Sequence, residues 1–202
     1  MQSGFQNLLA IFSLAGSHCF VQADVERSLV RQPLNEMNQT VLRGNTHPLA
    51  RIEFDRGPAP SGLLMERMLL VLKRSSEQES ALRKLLDEQL DQTSPNFHKW
   101  LTPDEFGQQF GPSSEDIRSV TSWLESHGFQ VAGVSKGRTV IEFSGSVRQV
   151  QEAFQTPIHK YLVNGDVHWA NAADPQIPTG LAPAVAGIVS LHEFQKKPLI
   201  RA

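Results

Sequence analysis

Residues 94–106 read Ser-Pro-Asn-Phe-His-Lys-Trp-Leu-Thr-Pro-Asp-Glu-Phe, and this stretch fixes a helix start directly after an aromatic corner. Thr102 is placed to cap, Pro103 takes the first helical position, and Asp104 and Glu105 bring acids into the first turn, where unpaired N–H groups and the helix dipole favour them. Phe106 and Phe110 follow four apart, so a short helix carries both rings on one face until Gly111 and Pro112 end it. Phe97, Trp100 and Leu101 crowd the preceding turn, with His98 among them. So much apolar bulk predicts a corner anchored on a core.

On the N-terminal side, residues 68–72 form a continuous apolar run ended by Lys73 and Arg74, as expected of a central strand buried on both faces. Ser76 and Glu79 then suggest a capping box for a helix whose Leu82, Leu85, Leu86 and Leu90 recur at helical spacing. Beyond the corner, a helix starts at Ser113 with Ile117, Val120 and Leu124 on one stripe and Gly128 after its end. Phe129 and Val131 alternate, as do Thr139, Ile141 and Phe143, on either side of Ser135-Lys136-Gly137, which reads as a hairpin. Ser146 and Gln149 cap another helix, with Val147, Val150 and Phe154 on one side. A strand over residues 158–163 then meets Asn164-Gly165, a strong two-residue hairpin signal, before Val167 and Trp169 continue the alternation.

The order is strand, helix with an inserted helical corner, two strands, helix, strand, and one strand more. This predicts an α+β fold, a ferredoxin-like split βαβ sandwich with an antiparallel sheet and helices on one face. The other face is then free to be solvated or to meet a partner. Residues 24–66, punctuated by Pro33, Gly44, Pro48, Gly57, Pro58, Pro60 and Gly62, read as an extended arm with a short strand near residues 50–54. Residues 67–191 form the domain, with a short helix expected near residues 183–189, and residues 192–202 form a tail. At the start, the apolar run of residues 8–21 followed by Val21-Gln22-Ala23 reads as a signal peptide over residues 1–23 cleaved between Ala23 and Asp24. The run is short for a membrane span, so the expected product is secreted or periplasmic, with no membrane association after cleavage.

Composition narrows the chemistry. The 202-residue chain has a formal net charge of -2 and no basic block, which argues against a nucleic-acid partner. Its single cysteine, Cys19, lies in the leader, so no disulfide framework is expected. The sequence carries no Gly-x-Ser-x-Gly elbow, no His-Glu-x-x-His motif and no Walker loop. Asp104 with Glu105 and Glu115 with Asp116 stand at helix starts, where capping explains them better than general acid–base work. The histidines His98, His127, His159, His168 and His192 fall on separate elements, so no metal site or other cofactor is expected.

An ordered series of motifs resembles the activation prosegment of the sedolisin (pro-kumamolisin) family of serine-carboxyl peptidases. The series comprises residues 94–106, then Phe110-Gly111-Pro112-Ser113, Trp123-Leu124, Gly128-Phe129, Phe143-Ser144-Gly145, residues 150–154 and residues 161–171, so it spans residues 69–191. Its motif anchors are Phe97, His98, Trp100, Leu101, Phe106, Phe110, Trp123, Phe143, Phe154 and Tyr161. The resemblance implies a propeptide that assists folding of a peptidase catalytic domain and blocks its cleft until acid releases it. That catalytic domain would supply the Glu, Asp and Ser of catalysis and any calcium site. The chain departs from the family pattern in stopping at Ala202, which leaves a fragment, a truncated product and a stand-alone inhibitor all open. Lys196, Lys197 and Arg201 are candidate tail residues for an acidic cleft, and His98, His159, His168 and His192 are candidate acid sensors. Two rival readings are an RNA-binding module, against which residues 68–72 lack the aromatics that an RNA platform needs, and a secreted interaction domain unrelated to proteolysis.

Overall fold

The computed structural model describes residues 28–194. Two short strands, β1 (Gln39–Val41) and β2 (Asp55–Pro58), precede the long strand β3 (Leu64–Leu72). Helices α1 (Ser76–Leu90), α2 (Pro103–Phe110) and α3 (Ser114–Ser126) follow, then strands β4 (Gln130–Val134) and β5 (Val140–Ser146) and helix α4 (Val147–Phe154). Strands β6 (Ile158–Val163), β7 (Asp166–Asn171), β8 (Gln176–Pro178) and β9 (Val185–Ile188) complete the described chain.

The central sheet has four strands in the order β4-β5-β3-β9, and every pairing in it is antiparallel. With helices crossing between β3 and β4 and after β5, this is the ferredoxin-like α+β sandwich expected from the sequence. Its fourth strand differs from the expected one. The β6 strand leaves the central sheet to join β2 and β7 in a three-stranded sheet, and its place beside β3 is taken by β9. The segment expected to be a short helix near residues 183–189 is therefore a strand. Pro183 and Gly187 weaken a helix there, whereas Val185 and Ile188 pair with Leu72 and Leu70. Gly187 is required by contact, since a Cβ on it would stand 2.5 Å from Asn45 Oδ1.

The core lies between the central sheet and helices α3 and α4. Met65, Met68, Leu70 and Leu72 meet Ile141, Phe143, Val120, Trp123, Leu124, Val150 and Phe154, all buried. Met65 and Met68 both point inward, three residues apart, because a bulge with Arg67 at φ 54° resets the alternation. Leu69 and Val71, on the opposite face, are only half-buried, so β3 is covered on one face and not on both. Phe129 stands edge-on to Phe143 at 5.2 Å, and Trp123 stands edge-on to Phe154 at 5.3 Å. Gly145 makes room for this cluster, since a Cβ there would lie 2.4 Å from the Phe129 ring.

Helix caps follow local chemistry. Thr102 and Ser113 cap their helices and Ser146 with Gln149 forms a capping box, as expected, and Glu105 completes a reciprocal box with Thr102 as well. The box of α1 is Ser75 with Gln78, one residue earlier than Ser76 with Glu79, and Gln78 also donates to the Gly111 carbonyl at 2.7 Å. Leu82 and Leu85 are half-buried and Leu86 and Leu90 exposed, so the apolar stripe of α1 does not enter the core. Helix α1 instead holds the corner, with Gln89 donating to the Lys99 carbonyl and accepting from the His98 amide.

Buried Asp116 at the start of α3 gathers the first described residues. It accepts from Ser28 Oγ at 2.8 Å, Leu29 N at 2.9 Å and Val30 N at 2.8 Å. Asp116→Ala leaves these donors without their acceptor and is expected to cost about 2–3 kcal/mol. Proteolysis near residues 28–30 should accelerate as well. An unchanged denaturant midpoint would show that this anchor contributes nothing to the fold.

Candidate functional site

Two surfaces stand out. The first is the sheet face opposite the helices. Leu69 and Val71 of β3, Val140 and Glu142 of β5, and Ala132 and Val134 of β4 line it, and Val189 lies exposed just past β9. Alternation along the strands sends these side chains away from the core. A shallow depression of about 270 Å³ lies between Leu69, Ala132, Val134, Val140 and Glu142. At its rim Arg67 Nε meets Glu142 Oε1 at 3.0 Å.

The second surface borders the first across β9. A groove of about 420 Å³ separates the turn at residues 44–48 from β9 and His192. Asp174 builds that turn, accepting from Gly44 N at 3.0 Å, Asn45 N at 2.9 Å and Thr46 Oγ1 at 2.9 Å. Burial alone would raise the Asp174 pKa, but these hydrogen bonds outweigh it and hold the carboxyl below its usual range. Asn171 Nδ2 donates to the Asn45 carbonyl, and Asn45 Oδ1 accepts from Ile188 N at 2.7 Å, closing the outer edge of β9.

The tethered turn presents His47 to the end of the described chain. There residues 191–194 run antiparallel to β7, with Asn171 N donating to the Leu191 carbonyl at 3.0 Å and Glu193 N to the Trp169 carbonyl at 2.9 Å. Ala170 and His192 form a bridge. Phe194 is ringed by His47 at 4.6 Å, His168 at 5.1 Å, His192 at 5.8 Å and Tyr161 at 6.1 Å, and His47 lies 4.4 Å from His192. Burial pushes the His47 pKa down. Burial also lowers that of His192, and the neighbouring His47 lowers it further.

The candidate residues from the sequence are scattered over the fold. Trp123, Phe143 and Phe154 are in the main core, and Tyr161 is buried in a smaller cluster with Val163 and Ala170. Phe97, His98, Trp100, Leu101, Phe106 and Phe110 form the corner. Only Phe110 of these is fully buried, and Trp100 is 67% exposed. The corner rings meet one another, His98 stacked on Phe97 at 3.8 Å and Phe106 tilted against Phe110 at 5.9 Å. His168 and His192 meet around Phe194, whereas His159 Nδ1 pairs with Asp55 Oδ2 at 2.7 Å and His98 stays with the corner. His47 was not among the candidates, although the turn that carries it, residues 45–48, is marked by Pro48 and by Asn45. Ala23 and Asp24, and the tail residues Lys196, Lys197 and Arg201, lie outside the described residues. Among the described residues no group of three or more His, Cys, Asp or Glu is arranged to hold a metal, and no helix is long and apolar enough to cross a membrane.

Residues 54–194, which include the central sheet, its helices and the histidine-lined exit, match the family model "Pro-kumamolisin, activation domain". The chain belongs to that family, a class of peptidase activation domains. It is similar to sedolisin of Pseudomonas sp. (strain 101), 30% identical over 127 residues, covering 63% of this chain and 22% of sedolisin. Xanthomonalisin of Xanthomonas sp. (strain T-22) is 30% identical over 101 residues, covering 50% of this chain and 12% of xanthomonalisin. Tripeptidyl-peptidase 1 of Canis lupus familiaris is 27% identical over 139 residues, covering 67% of this chain and 25% of its own length. The chain thus spans a quarter or less of the length of these relatives.

Proposed function

We propose that this chain acts as the N-terminal propeptide of a secreted or periplasmic sedolisin-type serine endopeptidase, assisting the folding of the catalytic domain and blocking its cleft until acid releases it. The observation that carries this reading is the match of residues 54–194 to the activation-domain family. The half-buried apolar face around Leu69, Val71 and Val140 supports it physically, because a sheet whose described helices all lie on the other side leaves a flat surface to dock. An interface of about 800 Å² per side is the ordinary size for such a contact. In this reading the chain contributes binding and no covalent chemistry. The nucleophile, the acids and any calcium site belong to the peptidase domain. Lys196, Lys197 and Arg201 follow the exit at Phe194 and would carry positive charge toward an acidic cleft.

The test is to add the chain, begun at Asp24, to an active sedolisin-type peptidase and follow peptide hydrolysis from pH 3 to 7. Inhibition near neutrality that fades in acid is the expected result. Supplied in trans, the chain lacks a tether's effective concentration, so micromolar amounts are the appropriate range. No inhibition at any pH in that range would remove this function while leaving the fold untouched.

A further inference from the structure

The contacts of the described histidines near the chain exit sort them by what a proton would do. His159 faces the Asp55 carboxylate, and His168 Nδ1 lies 3.3 Å from the Glu193 carbonyl, so both contacts suit a ring that carries a proton on Nδ1. His47 and His192 are different. His47 Nδ1 accepts the Leu49 amide at 3.2 Å, and His192 Nδ1 accepts the Phe194 amide at 3.3 Å. Only an unprotonated Nδ1 accepts an N–H, so charging either ring turns that contact into a clash of two donors.

We propose that His47 and His192 form an acid-labile clasp that seats Phe194 and residues 191–194 against β7 while both rings are neutral and lets this exit segment go when they are protonated. The proposal rests on the propeptide reading for its purpose but not for its physics. The rings lie 4.4 Å apart, so a proton on one opposes a proton on the other. Stacking of His47 on Phe194 would favour a single cation slightly, which makes the second charge the disruptive one.

The other charged groups around the clasp do not offset it. The Asp174 carboxylate is engaged by residues 44–46, and Arg51 donates to the Pro48 carbonyl. On the exit segment and β7, Glu193 and His168 meet through the Glu193 main-chain carbonyl. On β6, His159 is held by Asp55, Lys160 lies opposite Trp169, and Tyr161 lies opposite His168. Strand β9 contributes only Val185, Ala186, Gly187 and Ile188. Among the described residues, the histidines in salt-bridge contact with a carboxylate are His127 and His159. Burial lowers the pKa of both clasp rings, and the sign follows. A base whose folded pKa is depressed gives its full stability above the unfolded value of about 6.5 and loses it as pH falls below that value.

The measurement is amide hydrogen exchange of the purified chain at pH 7 and pH 4.5, corrected for intrinsic rates. The Glu193 amide, which donates to Trp169, should lose protection by about tenfold or more in acid, while the Leu70 amide in the central sheet stays protected. In the double variant His47→Asn, His192→Asn, the Asn side chains still accept the amide two residues on but do not titrate, and protection at Glu193 should become independent of pH. Glu193 protection in the natural chain that does not fall between pH 7 and 4.5 overturns the clasp. So does a double variant that loses protection in acid as the natural chain does. If the double variant does not fold, the natural chain's profile decides alone. No peptidase is present, so this result and the inhibition assay fail independently.

Discussion

Replacing Leu69 and Val71 together by lysine is expected to weaken inhibition of a sedolisin-type peptidase by about 100-fold or more while leaving the domain folded. The two side chains lie in an inner strand, on the sheet face that no described helix covers, and each is half-buried. A docked partner would desolvate them fully. Two ammonium groups placed there would each have to lose water on docking, and central interface positions of this kind typically carry about 2 kcal/mol or more each. Lysine is the right probe because Leu69 lies opposite Glu142 in the β3–β5 register, so the Leu69→Lys change places unlike charges across the strands, whereas an acid would place like ones. Circular dichroism should show a melting curve close to the natural one. Undiminished inhibition by a folded double variant would show that the contact surface lies elsewhere, with the exposed stripe of α1 the next to test.

Phe143→Ala is expected to produce the largest loss of stability, about 3–5 kcal/mol. Phe143 is fully buried, edge-on to Phe129 and 6.0 Å from Phe154. Collapse into the vacated space is hindered, because the Phe129 ring is already pressed against Gly145. A loss of that size is a large part of the roughly 5–15 kcal/mol that holds an ordinary domain together. The melting temperature should therefore fall by about 10 °C or more. A shift of only a degree or two would mean that the cluster repacks freely, contrary to its close contacts.

Much of the architecture was legible because its signals are local. Thr102 with Pro103, Ser146 with Gln149, and Asn164 with Gly165 each determine a cap or turn from neighbours alone, and all three stand as read. The misread parts depend on distant partners. Residues 185–188 become a strand because Leu70 and Leu72 offer a free edge and Asn45 fills the space above Gly187. The leucine stripe of α1 has the spacing of a buried face whether or not anything covers it, so periodicity could not reveal that Leu86 and Leu90 are exposed. In the candidate site, His168 and His192 were visible as titratable residues, but their meeting around Phe194 was not. The turn at residues 45–48 is legible in the sequence, but not that it delivers His47 to Phe194, because its position is set by Asp174 and Asn171, far along the chain. Trp100 shows the converse: an aromatic in a crowded motif predicted burial, yet the corner packs largely on itself.

The pairing of the first strands with the last has a temporal meaning. β1 finds its partner only in β8, β2 only in β6, and the central sheet acquires its outer strand only with β9. During vectorial synthesis, a nascent chain that has reached the end of α4 holds a core layer whose β3 edge still lacks β9 and whose opening strands still lack their partners β6 and β8. Closure of so many sequence-distant contacts is slow compared with helix formation, so the domain matures as a late, nearly simultaneous event. Its opening strands wait on its closing ones.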